Sequence, residues 1–457
     1  MTKTTWRLIA ALLVVLLIAA GCSDEGDSGS SSDDSTASGE ASGNTINVPG
    51  DHETIQAAVD AASPGDLILI EPGTYEEAVN VTTDDLTIRG LDRNDVILEG
   101  GFELENGVRI LEADGVVVEN LTAQNYTRNG VFWTGSDGYR GSYLTTVRNG
   151  DYGVYAFGSV NGVLEHSYGS GSPDAGFYIG QCYPCNALID DVVSEYNGLG
   201  YSGTNSGGDL NIVNSTFRMN RAGIVPNSGS YEGCAPERET TVVGNLVYDN
   251  SNYETAAIDA AVLAGGKGIL VTGGLDNVIE RNRVSGHDVA GIAIVPFPED
   301  DPIAPVPEEL PEDCVEDAVA VPEAEQAELD NPLLWPATGN QVRENVVTDS
   351  GTWDIVFISN VESENCAEGN EAEVISPANA AEVMPCGGPF AAYDAETGAY
   401  LEIVEADKPP SLDYQTIELP DPGDLENMPD AESAPAEPAG APREVDLASI
   451  TLPDEPS

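Results

Sequence analysis

From residue 107 onward the chain alternates aliphatic with other side chains in short runs that recur at a nearly fixed interval. Nine times a small residue, usually glycine, opens such a run: Gly107, Gly130, Gly153, Gly176, Gly200, Gly223, Gly268, Gly291 and Asp354. The first four openings are 23 residues apart, the next steps are 24 and 23, and Gly268 to Gly291 is 23 again. The pairs that follow, among them Val108 and Ile110, Val131 and Trp133, Val154 and Ala156, and Phe177 and Ile179, have the period of two that marks a strand. About ten residues later each unit carries a second apolar run, such as Val116 to Asn120, Ala187 to Val193 and Val242 to Val247. A unit this short cannot bury its apolar face alone, so successive units must stack and share a continuous core. The pattern predicts an all-β column of stacked coils joined by tight turns.

Asparagine recurs near the end of the second run, as Asn120, Asn214, Asn245, Asn282 and Asn345. These amides are expected to hydrogen-bond from coil to coil as an internal ladder, with ordinary turn residues as the alternative. Upstream, Thr54 to Ala62 reads as a short amphipathic helix whose Ile55, Val59 and Ala62 face one way. It is followed by Pro64-Gly65-Asp66-Leu67-Ile68-Leu69-Ile70 and Pro72-Gly73-Thr74-Tyr75.

Together the 23-residue repeat and this opening segment resemble the right-handed parallel β-helix proteins of the pectin-lyase-like superfamily, over roughly residues 45 to 360. The resemblance implies a single right-handed parallel β-helix of about 9–11 coils. It also implies a short N-terminal helix that covers the open end, followed by the first strand. An uncapped solenoid would expose strand edges and a bare core. The expected organisation is a signal peptide over 1–21, a disordered Ser/Asp/Gly-rich tether over 22–44, and the β-helix over 45–400. Irregular insertions are placed near 232–267, 297–340 and 361–390, and 401–457 reads as an acidic, Pro-rich, disordered tail.

Lys3 and Arg7 precede an apolar stretch from Leu8 to Ala20, too short for a stable membrane span and suited to a signal h-region. The stretch ends Ala19-Ala20-Gly21-Cys22, which resembles a bacterial lipobox, although a large aliphatic residue is usual where Ala19 stands. The resemblance implies lipidation at Cys22 and attachment to the outer face of the bacterial cytoplasmic membrane or cell envelope. A plain secretory signal is the alternative.

Six further cysteines, Cys182, Cys185, Cys234, Cys314, Cys366 and Cys386, suit disulfides in an exported chain, with Cys366 and Cys386 as the expected local pair. Cys182-Tyr183-Pro184-Cys185 also has the spacing of a redox or metal motif, but it lies in a turn without the helix N-terminus that activates a redox thiol. No metal site is assigned.

The formal net charge is −62 and the chain has three lysines, which excludes nucleic acid as a partner. Such a field would repel polyuronates unless calcium screened it, and calcium is the only ion left open as a cofactor. A monomer is expected.

Enzymes of the resembled superfamily place their sites on one outward strand face. In register, Arg109, Phe132, Tyr155, Tyr178, Ser202 and Val225 form one outward file. Phe132, Tyr155 and Tyr178 make an aromatic stripe, with Gln181 and Asn205 in the adjoining turn able to bond sugar hydroxyls. The stripe reads either as a glycan groove or as a secondary core beneath a loop. Asp174, Asp190, Asp191 and Asp209 supply carboxylates near it, while His166 shares a file with Asn120 and Tyr143. No catalytic set is legible. The two function classes are a cell-surface protein that binds, and cleaves or epimerises, polysaccharide, and a noncatalytic structural or adhesion protein of the envelope. A role in metal-cofactor assembly is a remote third.

Overall fold

The structure, a computed structural model, describes residues 43–299, 314, 333–359, 361–391 and 409–456. It is a right-handed parallel β-helix. Among the described residues, the coils build three parallel sheets of twelve, eleven and ten strands, and within each sheet the strands follow sequence order. The eleven-stranded sheet contains the glycine-opened runs. Its register aligns Val108, Val131, Val154, Phe177, Tyr201, Ile224, Ile269, Ile292 and Ile355 as one inward file. The core is continuous from Val48 to Met384.

The opening glycines recur because the coils approach too closely there for a side chain. A Cβ on any of the eight would stand 2.3–3.3 Å from the carbonyl oxygen of the aligned residue in the next coil. The built Cβ of Gly153 also lies 2.5 Å from Thr146 Oγ1, within the column. The glycine and the residue after it therefore both face inward, and strict alternation slips by one position at every opening.

The amide ladder exists, but the five asparagines divide between two adjacent files. Asn245, Asn282, Asn345 and Asn370 stack, each Oδ1 accepting from the backbone N–H and the amide of the asparagine before it where there is one. Asn120 and Asn214 sit one position earlier, with Tyr143, His166, Asp191, Gly244, Arg281, Glu344 and Gly369. Every member of that file has φ between 48° and 69°, the left-handed bend that Asn, Asp and Gly tolerate best. Two further ladders turn the other corners: Asn197–Asn220–Asn250, ending on His287, and Asn277–Asn340–Asn365. Burial lowers His287 to about 3, so it is neutral there.

Helix α1 (Ile55–Ala61) covers the N-terminal end, with Ile55 and Val59 buried and the Thr54 hydroxyl accepting from Ala57 N at 3.1 Å. The first strand, Thr45–Val48, precedes this helix rather than following it, and pairs with Leu67–Ile70. Its alternation is too short to register as a repeat. Residues 361–390, expected as an insertion, continue the column instead: Cys366–Glu368 and Ile375–Ser376 add strands. A four-residue helix, Ala380–Val383, then closes the core together with Met384. Disulfides join Cys182 to Cys185, Cys234 to Cys314, and Cys366 to Cys386.

The acidic tail was expected to be disordered, yet residues 409–456 lie along the column. They run from Arg221 toward the N-terminal coils, turn near Asp430, and return to Arg283. Six arginines, Arg89, Arg93, Arg148, Arg221, Arg281 and Arg283, donate to main-chain carbonyls of this strap. Ile450 completes a small apolar cluster with Leu188, Val213 and Val243. The tail was misread because its acceptors are backbone oxygens, which composition does not reveal. Residues 401–408 and most of the 297–340 insertion lie outside the described residues.

Asn282→Ala should destabilise the protein by about 3 kcal/mol in denaturant titrations, because it strands buried partners above and below. Deleting residues 409–457 should lower the thermal midpoint and expose the arginine-lined face to proteolysis, with the strand content by circular dichroism largely retained.

Candidate functional site

The outward file of the eleven-stranded sheet changes character along the column. Arg109, Phe132, Tyr155 and Tyr178 align with one another, then Ser202 and Val225, and farther on Leu270, Ala293 and Val356 align. The lower coils thus present charge and aromatic rings, and the upper coils present aliphatic side chains.

Tyr155 is the hub of the aromatic cluster. Its ring centroid lies 4.9 Å from Phe132, 4.6 Å from Tyr178 and 4.3 Å from Tyr152, the last in parallel stacking at 12°. The sequence reading missed Tyr152, since counting by twos from Tyr155 points it inward. The slip at Gly153 turns it outward, and the glycine was the signal.

Tyr178 is fully buried, under a loop spanning residues 228–235. Its hydroxyl donates to Glu232 Oε2. Gln181 and Asn205, expected to face sugar hydroxyls, secure this loop instead. Gln181 Oε1 accepts from Gly233 N at 2.8 Å, while Asn205 accepts from Gly229 N and donates to the carbonyls of Gly229 and Glu232. Their polar groups are spent on the loop, which is further fixed by Cys234 and by Glu299 accepting from Ser230. The stripe is therefore both of the alternatives: covered at Tyr178 and open at Phe132 and Tyr155, which are only partly buried.

Of the four candidate aspartates, only Asp174 reaches this site. Asp191 pairs with His166 at 2.7 Å, Asp190 engages Arg443 and Asn214, and Asp209 is exposed within the twelve-stranded sheet. His166 stands in its predicted file, its ring 4.8 Å from Tyr143.

Asp174 is buried close to the Tyr152 hydroxyl. Burial raises Asp174 to about 7; the Tyr152 hydroxyl opposes this rise, while nearby Asp151 adds to it. Glu232 is half-buried with its carboxyl turned onto Tyr178. Burial raises it to about 8, with the Tyr178 bond opposing and Asp174 adding. Burial also pushes Tyr152, Tyr155 and Tyr178 well above the ordinary phenol value, so all three remain donors. Two carboxylic acids that change protonation near neutrality, each beside a tyrosine hydroxyl, are suited to proton transfer.

Two concavities flank the site, and Glu232 lines only the deeper one. A shallow groove is walled by Glu105, Arg109, Arg128, Phe132, Asp151 and Tyr155. A deeper cavity of about 530 Å³ lies between the upper outward file and helix α2 (Asp259–Ala264). Tyr152 and Asp174 line both. Glu232 was not legible as a site residue, because it lies 54 residues from the tyrosine it bonds and is carried there by an insertion. Among the described residues, no cluster of three or more His, Cys, Asp or Glu has the arrangement to hold a metal ion.

A coil of this construction, with its outward site, defines a right-handed parallel β-helix protein, and residues 106–284 match the family model described as right handed beta helix region. The expected right-handed parallel β-helix is met. No curated protein matches the sequence. Solved structures similar to it include the A-module of mannuronan C-5 epimerase AlgE4 from Azotobacter vinelandii, at 15% identity and TM-score 0.43, covering 74% of this chain and 93% of that one. The AlgE6 A-module from the same organism is similar at 18% identity and TM-score 0.44, covering 70% and 91%. An alginate lyase from Paenibacillus sp. str. FPU-7 is similar at 16% identity and TM-score 0.38, covering 55% and 90%.

The raised carboxyls make stability depend on pH. Unfolded, Glu232 and Asp174 titrate near 4.5 and 3.8; folded, near 8 and 7. The native state therefore holds more protons between those limits, and stability falls as pH rises through this window. Glu232→Gln and Asp174→Asn should each reduce the slope of unfolding free energy between pH 5 and 8, measured by denaturant titration at each pH.

Proposed function

We propose that the protein is a lipid-anchored, cell-surface β-helix that binds polysaccharide along the face leading from Phe132 past Tyr155, and acts on it by acid–base chemistry from Asp174 and Glu232. The observation that carries this reading is an aromatic groove that reaches Asp174, with Glu232 lining the adjoining cavity, two carboxyls whose protonation changes near neutral pH. Ring faces at Phe132 and Tyr155 offer stacking surfaces for sugar C–H faces. A protonated carboxyl can give its proton to a glycosidic oxygen while an ionised one takes a proton from water or from a sugar carbon. Cleavage by hydrolysis or elimination, and epimerisation, all draw on that pair. The anchor rests on Cys22 and the apolar stretch before it, which lie outside the described residues.

A noncatalytic envelope role is the second reading. It is favoured by the commitment of Tyr178, Gln181 and Asn205 to the loop, which leaves fewer polar groups for a sugar.

A glycan array with and without calcium, scored for both binding and product mass, separates the two. The first reading expects Tyr155→Ala to weaken binding by about threefold to tenfold, the worth of one aromatic contact. It expects Asp174→Asn to cut turnover by about a hundredfold or more while binding persists. A folded protein that binds and converts none of the glycans would favour the envelope role.

A further inference from the structure

The groove accounts for only part of the outward face, and the cavity beside it has a different chemistry. Its apolar walls are Leu199, Val225, Leu270 and Val295 from the sheet, with Leu263 and Ala264 from α2. Tyr152 and Asp174 line the cavity and the groove alike, while Glu232, Ser202, Thr204, Asn227, Ser228 and Thr272 add polar groups to a cavity lining that is otherwise mostly apolar. Leu263 and Tyr231 are both exposed members of the lining, placing apolar surface at the mouth. Against the aliphatic side of the cavity, formed by Leu199, Val225, Leu263 and Leu270, a sugar ring would leave hydroxyls without partners, whereas an alkyl chain would not.

We infer that the cavity receives an alkyl or acyl chain attached to a neutral sugar, so that the substrate of the groove is a lipid-substituted glycan. This inference rests on the glycan reading of the groove and names its substrate class. Continuity of the two concavities through Tyr152 and Asp174 lets one molecule place its sugar among the rings and its chain under α2. The size suits a medium-length chain, within the range of pockets that enclose small ligands. The sugar must be neutral at the junction. A free fatty acid would set its carboxylate beside Asp174 and Glu232. Lys267, the cation in the lining, is turned to the carbonyl of Leu263 at 3.0 Å.

The test is calorimetric titration of the full chain with n-alkyl glycosides of one disaccharide, carrying octyl, decyl and dodecyl chains, kept below their aggregation concentrations. Affinity should rise about threefold to fourfold per added methylene. Val225→Trp, which fills the cavity from an outward position, should flatten the series. Should that variant fail to fold, the wild-type series decides alone. An affinity independent of chain length overturns the inference, and dodecanoate binding as tightly as the dodecyl glycoside overturns the neutral sugar head. Unsubstituted oligosaccharides that bind through Tyr155 alongside a flat alkyl series leave the groove reading standing without the cavity. A rising series with no effect of Tyr155→Ala supports the cavity and removes the groove.

Discussion

Consecutive coils press together at their opening residues, where the next carbonyl oxygen occupies the space a Cβ would need. Everything on the eleven-stranded sheet follows from that contact. Parallel register is held because only glycine fits, file after file, until Asp354 closes the series by accepting from Ser350, Glu373 and Val374. The same contact costs each strand one step of alternation, so the residue before the glycine turns outward. At Gly153 that residue is Tyr152, and the site gains a stacked ring and a hydroxyl beside Asp174. A steric rule of the backbone thus places a functional side chain.

Charge is distributed by the same economy. A chain with net charge −62 has few cations to spend, and it sets them against the acceptors that matter most to its architecture. Arg89 is buried with Glu119 at 2.6 Å and still reaches the strap, while Arg140 serves the other Glu119 oxygen. At the groove end the opposite solution appears. Asp174 and Glu232 have phenols for neighbours rather than guanidinium groups, so burial is left uncompensated and they hold protons. Glu119, Glu195 and Glu280 in the column are paired with arginines, and the two carboxyls of the candidate site are not.

Much of the column was readable because its code is local. Period two, the 23-residue repeat and the opening glycines are short-range features, and the strand register reproduces the inward and outward files from Val108 to Ile224 and from Arg109 to Val225. The site was readable only where it is made of that repeat. Phe132, Tyr155 and Tyr178 were found; Glu232 arrives on an insertion, and its approach depends on Asn205, Gln181 and Cys234 acting together across distant positions. Gln181 and Asn205 looked like ligand groups because polar turn residues beside aromatics look alike whether they face a loop or a sugar. The asparagine files were half legible, since Asn120 and Asn245 differ by a single position and only the bend geometry separates a left-handed corner from an inward amide.

The strap binds through its main chain, and this has a temporal side. Its segment is the last of the column's elements to be synthesised, and its binding groove spans coils from Arg89 to Arg283. A nascent chain can stack rung upon rung while the arginines along two sheets still wait in water for their acceptors. Residues 409–456, which follow the described coils in sequence, then meet those guanidinium groups only on a correctly wound column, because their carbonyls are spaced along one extended segment.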